Sequence, residues 1–343
     1  MTKVKDLTGP GHTERFGVGG TDLGAAAAAP DGTVVAVFGD TFEHAGVGGP
    51  GWRSPVVLLA DPSTVRSGLE WSGSAGPSRD YADQVIDYRH GARIGGTRAL
   101  AGLLTLGGAK ITTKLPTDVI TLGDTMYLHV MACEGLGNVH WTEIHRSDDG
   151  GTTWTPTGTW WPGDRHHHLF QMLTWELADD GYVYAFTTGF RRDAGLLLHR
   201  VPADRLLDPD AWEGWGWAAG DGRDGDWAWG RPPTLVLPGA FGELSLRRVD
   251  GRWWLAAFDA GRYRIDLFAL PDGPTTNLHT TERVTAITGC GWHDEDHGTG
   301  RVAQPYGGYI VPGSTRDEIH LVVSQWNTGT NWPYRSMQFR VDL

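Results

Sequence analysis

The feature that most limits the fold of this chain is a strand–turn–strand module that keeps returning. In each copy an apolar stretch meets a polar turn carrying Asp or Gly and is followed by a second apolar run. Copies lie at Gly20 to Phe42 (turn Pro30-Asp31-Gly32), Lys114 to Glu134 (near Gly123-Asp124), Phe170 to Arg191 (Asp180-Gly181), Gly242 to Asp259 (Asp250-Gly251) and Tyr306 to Asn327. Further strand candidates, Pro55 to Asp61, His140 to Ser147, Leu196 to Val201 and Ile265 to Leu270, fall between them, so each hairpin has material for a third and a fourth strand. Helical periodicity over ten or more residues is missing outside Pro202 to Trp212. Antiparallel units repeated at an irregular spacing of roughly 40 to 90 residues are what radial repetition produces. The expected fold is therefore all-β, a five-bladed β-propeller occupying residues 1–343 as one domain, with a two-sheet sandwich as the competing architecture. The final candidate, Tyr334 to Val341, would complete a blade begun by the first residues or by the fifth hairpin.

Composition narrows the ligand. With 41 acids against 29 bases the net charge is −12, which argues against nucleic acid or another polyanion and favours a neutral partner. The 50 glycines suit many tight turns, and the 17 tryptophans suit a cleft rich in flat rings. Cys133 and Cys290 are the two cysteines, far apart in sequence, so no disulfide framework is required. The start, MTKVKDLTGPGHTERF, has no apolar core of signal-peptide length, and no 18-residue apolar run occurs, so no membrane insertion is expected.

The hairpins also organise the acids. Opposed residues in an antiparallel hairpin keep a constant index sum, and a turn centred on Asp31 gives a sum near 62, which sets Asp22 against Asp40. Like charges that close raise one pKa and add no stability, which points to chemistry. If all five hairpins start at the central axis, their open ends converge on one face. The expected rim is Asp22, Asp40, Glu134, Gln171, Arg191, Glu243, Asp259, Tyr306, Gln325, Trp326 and Asn327, with Thr21, Thr41 and Phe42 flanking the acid pair and Arg53 close by. Such an acidic, aromatic, hydrogen-bonding pocket has the inventory for a carbohydrate: rings for the apolar faces of sugars, amides and carboxylates for hydroxyls. Cleavage of a glycosidic bond further needs one protonated and one ionised carboxyl group.

Other motifs read as structure. Ser147 to Trp154, SDDGGTTW, resembles the Asp-box turn of sialidase-like propellers, where the Asp caps the turn and the Trp packs beneath it, so Asp149 is not expected to be catalytic. HHHLF at His166 and GCGWHDEDHG at Gly289 hold ligand-type residues without a closed zinc spacing, and neither a metal nor another cofactor is expected. Trp212 to Gly230 is either packing against the rim or a lid that stacks on sugar. Nucleophile-elbow, phosphate-loop and dinucleotide fingerprints are absent.

GTDLG followed by VFGDTF, then GWRSPVVLLA at Gly51 to Ala60, PYGGYIVPGSTRDEIHLVVSQWN and YRSMQF together resemble the endo-D-arabinanase family of actinobacteria and their phages, glycoside hydrolase family 183. The likeness spans about Gly17 to Arg340. It implies a five-bladed propeller that cuts internal α-D-arabinofuranosyl linkages of mycobacterial-type arabinogalactan and lipoarabinomannan, with the paired catalytic aspartates at Asp22 and Asp40. The partner would be a polysaccharide lying outside the plasma membrane. No signal peptide is visible in this chain, so a virion-borne phage enzyme, a trimmed secreted enzyme and a cell-envelope enzyme are all consistent. A propeller that grips arabinan without cutting it is the alternative from another class. A sialidase-like or L-arabinan-active hydrolase ranks last, because no arginine triad is evident.

Overall fold

In the computed structural model, residues 1–94, 108–219 and 225–343 are described. An opening strand β1 (Thr2–Asp6) is followed by β2 (Leu23–Ala28), β3 (Val34–Phe38), β4 (Val56–Ala60) and β5 (Trp71–Ser74), which form one antiparallel sheet in sequence order, and by a small hairpin of β6 (Ala92–Ile94) and β7 (Ala109–Ile111). Strands β8 (Thr113–Leu122), β9 (Thr125–Cys133), β10 (Val139–Ser147) and β11 (Thr155–Pro162) form the next sheet. Then come β12 (Met172–Leu177), β13 (Tyr182–Thr188), β14 (Ala194–Pro202) and an outlying hairpin, β15 (Glu213–Ala219) with β16 (Gly225–Trp229). The group β17 (Leu237–Val249), β18 (Arg252–Asp259), β19 (Arg264–Leu270), β20 (Arg283–Cys290) and β21 (Arg301–Ala303) is joined to the previous one where β14 pairs with β17. Finally β22 (Pro305–Ile310), β23 (Glu318–Trp326) and β24 (Tyr334–Asp342) are completed at the outer edge by β1, so the first and last strands share a sheet.

The four located hairpin turns fall where the residue pattern puts them, because an Asp-Gly or Gly-Asp pair tolerates the backbone a tight return needs; Asp250 and Gly251, for instance, both take positive φ. Between Pro202 and Trp212 the chain makes two short 3₁₀ turns rather than a helix.

The first strand of each hairpin is the inner one. β2 packs on β8, β8 on β12, β12 on β17, β17 on β22 and β22 back on β2, which closes a ring and gives a propeller-like arrangement of curled sheets. Because each sheet is sandwiched between two others, its strands are apolar on both faces and read as continuous runs instead of alternating. In VVAVF, Val34, Ala36 and Phe38 face the core shared with the last sheet, while Val35 and Val37 face the core shared with β8–β11. β13 divides likewise, with Val183 and Ala185 on one side and Tyr184 and Phe186 on the other.

One ion pair ties the inner strands together. A register shift between Pro116 and Asp118 turns the fully buried Asp118 inward. There its carboxylate receives both guanidinium nitrogens of Arg247 on β17, at 2.8 and 2.5 Å, and the Thr174 hydroxyl of β12 at 2.7 Å. Arg247 also donates to the carbonyl of Ala26 on β2 at 2.8 Å. Removing one partner of such a pair strands a charge in the interior, whereas replacing both by apolar groups does not. Asp118→Ala is therefore expected to cost about 3–5 kcal/mol of stability, and Asp118→Leu combined with Arg247→Met much less, both read from urea denaturation midpoints. A double variant as damaged as the single one would contradict this.

Candidate functional site

The inner hairpin β2–β3 carries the acid pair. Its pairings Ala25↔Val37, Ala26↔Ala36, Ala27↔Val35 and Ala28↔Val34, and the bridge Gly20↔Phe42, keep the expected register. Between them the register slips by one at Leu23↔Phe38, so the backbone of Asp22 faces Gly39, whose N–H donates to the Asp22 carbonyl at 3.0 Å, with Asp40 next along the strand. A β-carbon on Gly39 would come within 2.5 Å of Asp22 Oδ1, so the carboxylate occupies space that only glycine leaves free.

Asp22 and Asp40 have different surroundings. Tyr306 of β22 donates to Asp22 Oδ2 at 2.9 Å, Tyr334 of β24 is a second donor, and Asp22 Oδ1 is buried without a partner. Burial, followed by the charge of Asp40, pushes the Asp22 carboxyl up to about 7, against the pull of its two tyrosine donors. Asp40 Oδ1 accepts from Thr113 Oγ1 at 2.8 Å and from Trp52 Nε1 at 3.1 Å. Burial raises this carboxyl too, while those donors and the nearby His90 draw it back.

Both acids line a cavity of about 650 Å³, within the range of small-molecule sites. Its walls are largely apolar and aromatic, with Leu115, Met131, Met172, Phe190, Phe258 and Trp326 among them. Leu136, 72% exposed, and Tyr263, 38% exposed, stand at the mouth and present apolar surface to solvent. A third carboxylate, Glu243, is buried in the wall and bound by Arg192, whose guanidinium lies 5.0 Å from the Tyr306 ring centroid and 5.5 Å from that of Phe258.

Of the residues expected on the rim, Asp22, Asp40, Phe42, Arg191, Glu243, Tyr306 and Trp326 line this cavity. The others do not line it and make hydrogen bonds elsewhere. Thr21 and Thr41 bond each other at 2.7 Å inside the hairpin, and Arg53 is buried, donating to the carbonyls of Gly51, Gly17 and Ala82. Gln171 ties Gly163 to Phe190, Gln325 bonds Ala303, Glu295 and Arg335, and Asp259 and Asn327 cap their own turns. Glu134 pairs with His140 at 3.1 Å outside the cavity. Polar side chains at strand ends meet open backbone groups first, and index counting does not register that. Three contributors lie outside the expected set, Tyr334, Thr113 and Trp52, and of the Arg191-Arg192 pair it is Arg192 that pairs with an acid, Glu243. The sequence places Tyr334 at the start of the YRSMQF motif of the last strand, and the structure sets it opposite Trp326.

The remaining motifs fall elsewhere. Asp149 accepts from Ser147, from the Thr152 and Thr153 amides and from the Thr153 hydroxyl, over a buried Trp154, and so caps its turn. His166 stacks on His199 with ring centroids 5.2 Å apart, and His297 pairs with Glu295 at 3.0 Å. Among the described residues no group of three or more His, Cys, Asp or Glu is arranged to hold a metal. In the tryptophan-rich stretch, of which residues 220–224 lie outside the described residues, the pairings Trp215↔Trp229 and Trp217↔Trp227 put four rings on one face of the β15–β16 hairpin. Trp229 rests on Tyr184 and Arg200, at the ends of β13 and β14 remote from the cavity, and none of the described residues of the stretch lines the cavity.

The family described as Domain of unknown function (DUF4185) matches residues 8–340. A 35.9 kDa protein of Mycolicibacterium smegmatis from the asd 3′ region is 28% identical, covering 100% of this chain and 98% of its own length. Notoamide biosynthesis cluster protein J′ of Aspergillus versicolor is 30% identical over 92% of this chain and 83% of its own. Among solved structures, a Bacteroides ovatus protein whose hydrolase assignment is provisional is similar with a TM-score of 0.63 at 15% identity, covering 95% of this chain and 86% of that one. CoXyl43, a GH43 β-xylosidase/α-arabinofuranosidase from a compost metagenome, gives 0.54 at 12% identity, covering 97% and 93%. At these identities the likeness is one of fold, that of propeller enzymes acting on glycosides.

Two outcomes follow from the electrostatics of Asp22. Tyr306→Phe removes a donor to the ionised form, so the Asp22 titration, followed by carboxyl carbon NMR, should move above its wild-type value; a downward move would contradict the assignment. The folded-state value near 7 lies above the ordinary 3.8, so the fold loses stability as pH rises from about 4 to about 7 and levels off beyond. Asp22→Asn should therefore be more stable than the parent at pH 8 and no more stable at pH 3.5, as read from denaturant midpoints at the two pH values.

Proposed function

The chain belongs to the family described as a domain of unknown function (DUF4185), and from its site we propose that it is an endo-acting glycoside hydrolase cleaving internal α-D-arabinofuranosyl linkages of D-arabinan. The observation that carries this is the unequal pair at the cavity: Asp22, held up to about 7 by burial and by Asp40, beside Asp40, whose Oδ1 accepts from Trp52 and Thr113. Two carboxyl groups whose environments drive their proton affinities apart supply an acid and a base to one bond. Asp22 is assigned the proton donor. Its proton goes to the leaving glycosidic oxygen as the bond from that oxygen to the anomeric carbon breaks. Asp40 remains ionised and either attacks that carbon, after which Asp22 takes a proton from the water that displaces Asp40, or deprotonates the attacking water itself and passes that proton back to Asp22 through solvent; in both cases the hydroxyl of the water ends on the anomeric carbon.

The apolar, aromatic walls suit the C–H faces of sugar rings, and the neutralisation of Glu243 by Arg192 suits an uncharged substrate. The choice of D-arabinan rests on the motif resemblance at Gly20 to Phe42 and in the last three strands. The closed ring β2–β8–β12–β17–β22 supports a five-bladed propeller working as one domain, and the polymer sets its place of action outside the plasma membrane, either in the envelope or on a virion.

Incubation with mycobacterial arabinogalactan followed by size analysis tests this. The parent should release a ladder of arabino-oligosaccharides, and Asp22→Asn and Asp40→Asn should each lose about 100-fold or more of that activity. Activity should fall above about pH 7 as Asp22 loses its proton and fall again in acid as Asp40 gains one. Polymer retention without new reducing ends would instead make this a glycan-binding propeller, with the aspartates as ligand contacts.

A further inference from the structure

Asp22 is followed by irregular backbone. Leu23 adopts φ +64° and Gly24 φ +113°, and the register slip of the β2–β3 hairpin falls between Leu23 and Ala25. Glycine takes such a φ freely, but leucine does not, and the strain persists only where neighbours over-determine it. Here the neighbours are two serines of the last sheet. The Leu23 N–H donates to Ser324 Oγ at 2.8 Å, and the Ser324 hydroxyl lies 3.3 Å from the Leu23 carbonyl, which also accepts from Ser336 Oγ at 3.0 Å.

Both serines are fully buried and face each other across β23 and β24, where Ser324 pairs with Ser336. Their surroundings leave them little freedom. Ser336 receives the Leu7 and Thr8 amides on its carbonyl and donates its own N–H to the Thr8 hydroxyl at 2.8 Å. A β-carbon on Gly307 would stand 3.3 Å from Ser324 Oγ, so that glycine keeps the hydroxyl's space open. The same sheet supplies Tyr306 and Tyr334, the donors to the Asp22 side chain. One sheet thus grips the residue after Asp22 by its backbone and Asp22 itself by its carboxylate.

We propose that Ser324 and Ser336 are positioning residues: their hydroxyls hold the left-handed turn at Leu23 and so keep the Asp22 carboxyl between Tyr306 and Asp40. The catalytic consequence rests on Asp22 being the proton donor of the proposed hydrolase, while the positioning does not. Without the hydroxyls, Leu23 relaxes towards extended backbone, the slip is redistributed, and the carboxyl leaves its pocket.

The test uses the full chain with Ser324→Ala, Ser336→Ala and the double variant, reading D-arabinan turnover and the carboxyl NMR titration of Asp22. Each single variant should keep its KM within about twofold and lose about tenfold or more in kcat, because small misplacements of a reacting group are costly. The Asp22 titration should move down, towards the ordinary carboxylate range, by at least about half a pH unit. Leu23→Gly, which takes positive φ without help, should restore part of the lost turnover when added to the double variant, measured against Leu23→Gly alone. An unmoved titration in both folded single variants, or a loss that Leu23→Gly leaves untouched, would overturn the proposal. A parent without activity on D-arabinan whose titration still moves on serine removal would overturn the hydrolase reading and uphold the positioning.

Discussion

The arrangement depends first on a single buried guanidinium. Arg247 reaches from β17 to a carboxylate on β8 and a carbonyl on β2, and the carboxylate it holds takes a hydroxyl from β12. Four of the five inner strands meet through one ion pair, and the fifth joins through Ser245, whose hydroxyl accepts the Ile310 amide at 3.0 Å. Sheets that pack face to face through apolar side chains slide easily past one another, because dispersion and hydrophobic contact carry no direction. A bidentate guanidinium–carboxylate contact does, and its cost in desolvation is offset by further hydrogen bonds to both groups. The ring gains register from it more than net stability.

Register at the axis is what makes a site at one end possible. Every inner strand runs from the cavity mouth inwards past the ion pair, so a slip of one residue would exchange the residues facing the cavity with those facing an inter-sheet core. Register shifts are nevertheless present in four of the five inner strands, and those at Pro116–Asp118 and Leu23–Ala25 each turn an acid to where the ring uses it. Bulges commonly re-aim side chains beside functional sites, and here the same device serves the axis and the acid pair.

How much of this was legible follows from the kind of signal each part leaves. The hairpins were readable because Asp-Gly turns and double-faced apolar runs such as VVAVF are local, and the opposition of Asp22 and Asp40 follows from the turn position to within the one-residue slip. The slip itself was not readable: a leucine at positive φ leaves no trace in the pattern, since its partners Ser324 and Ser336 lie some 300 residues further along. Rim residues chosen by index went astray for a related reason. Gln171, Gln325, Asp259 and Asn327 do sit near strand ends, but open amides and carbonyls there bind them before any ligand could. Tyr334, by contrast, reaches Asp22 from β24, paired to β23 in the last sheet, some 300 residues further along the chain.

The acid pair also explains why the cavity needs a cation in its wall. Glu243 adds a third carboxylate close enough to push the Asp22 proton affinity higher still, and without Arg192 that push would be uncompensated. Arg192 answers Glu243 directly and feels Asp22 and Tyr306 as well, so one guanidinium limits the field of the whole group. What remains is an asymmetry rather than a charge. Asp22 is buried and faces two phenols, and Asp40 faces an indole, a hydroxyl and an imidazole. A single proton shared by the two therefore rests on Asp22. That asymmetry is costly to the fold near neutral pH, because burial works against the ionised form of both acids. A hairpin selected for stability alone would have no reason to keep an aspartate on each strand at that mouth.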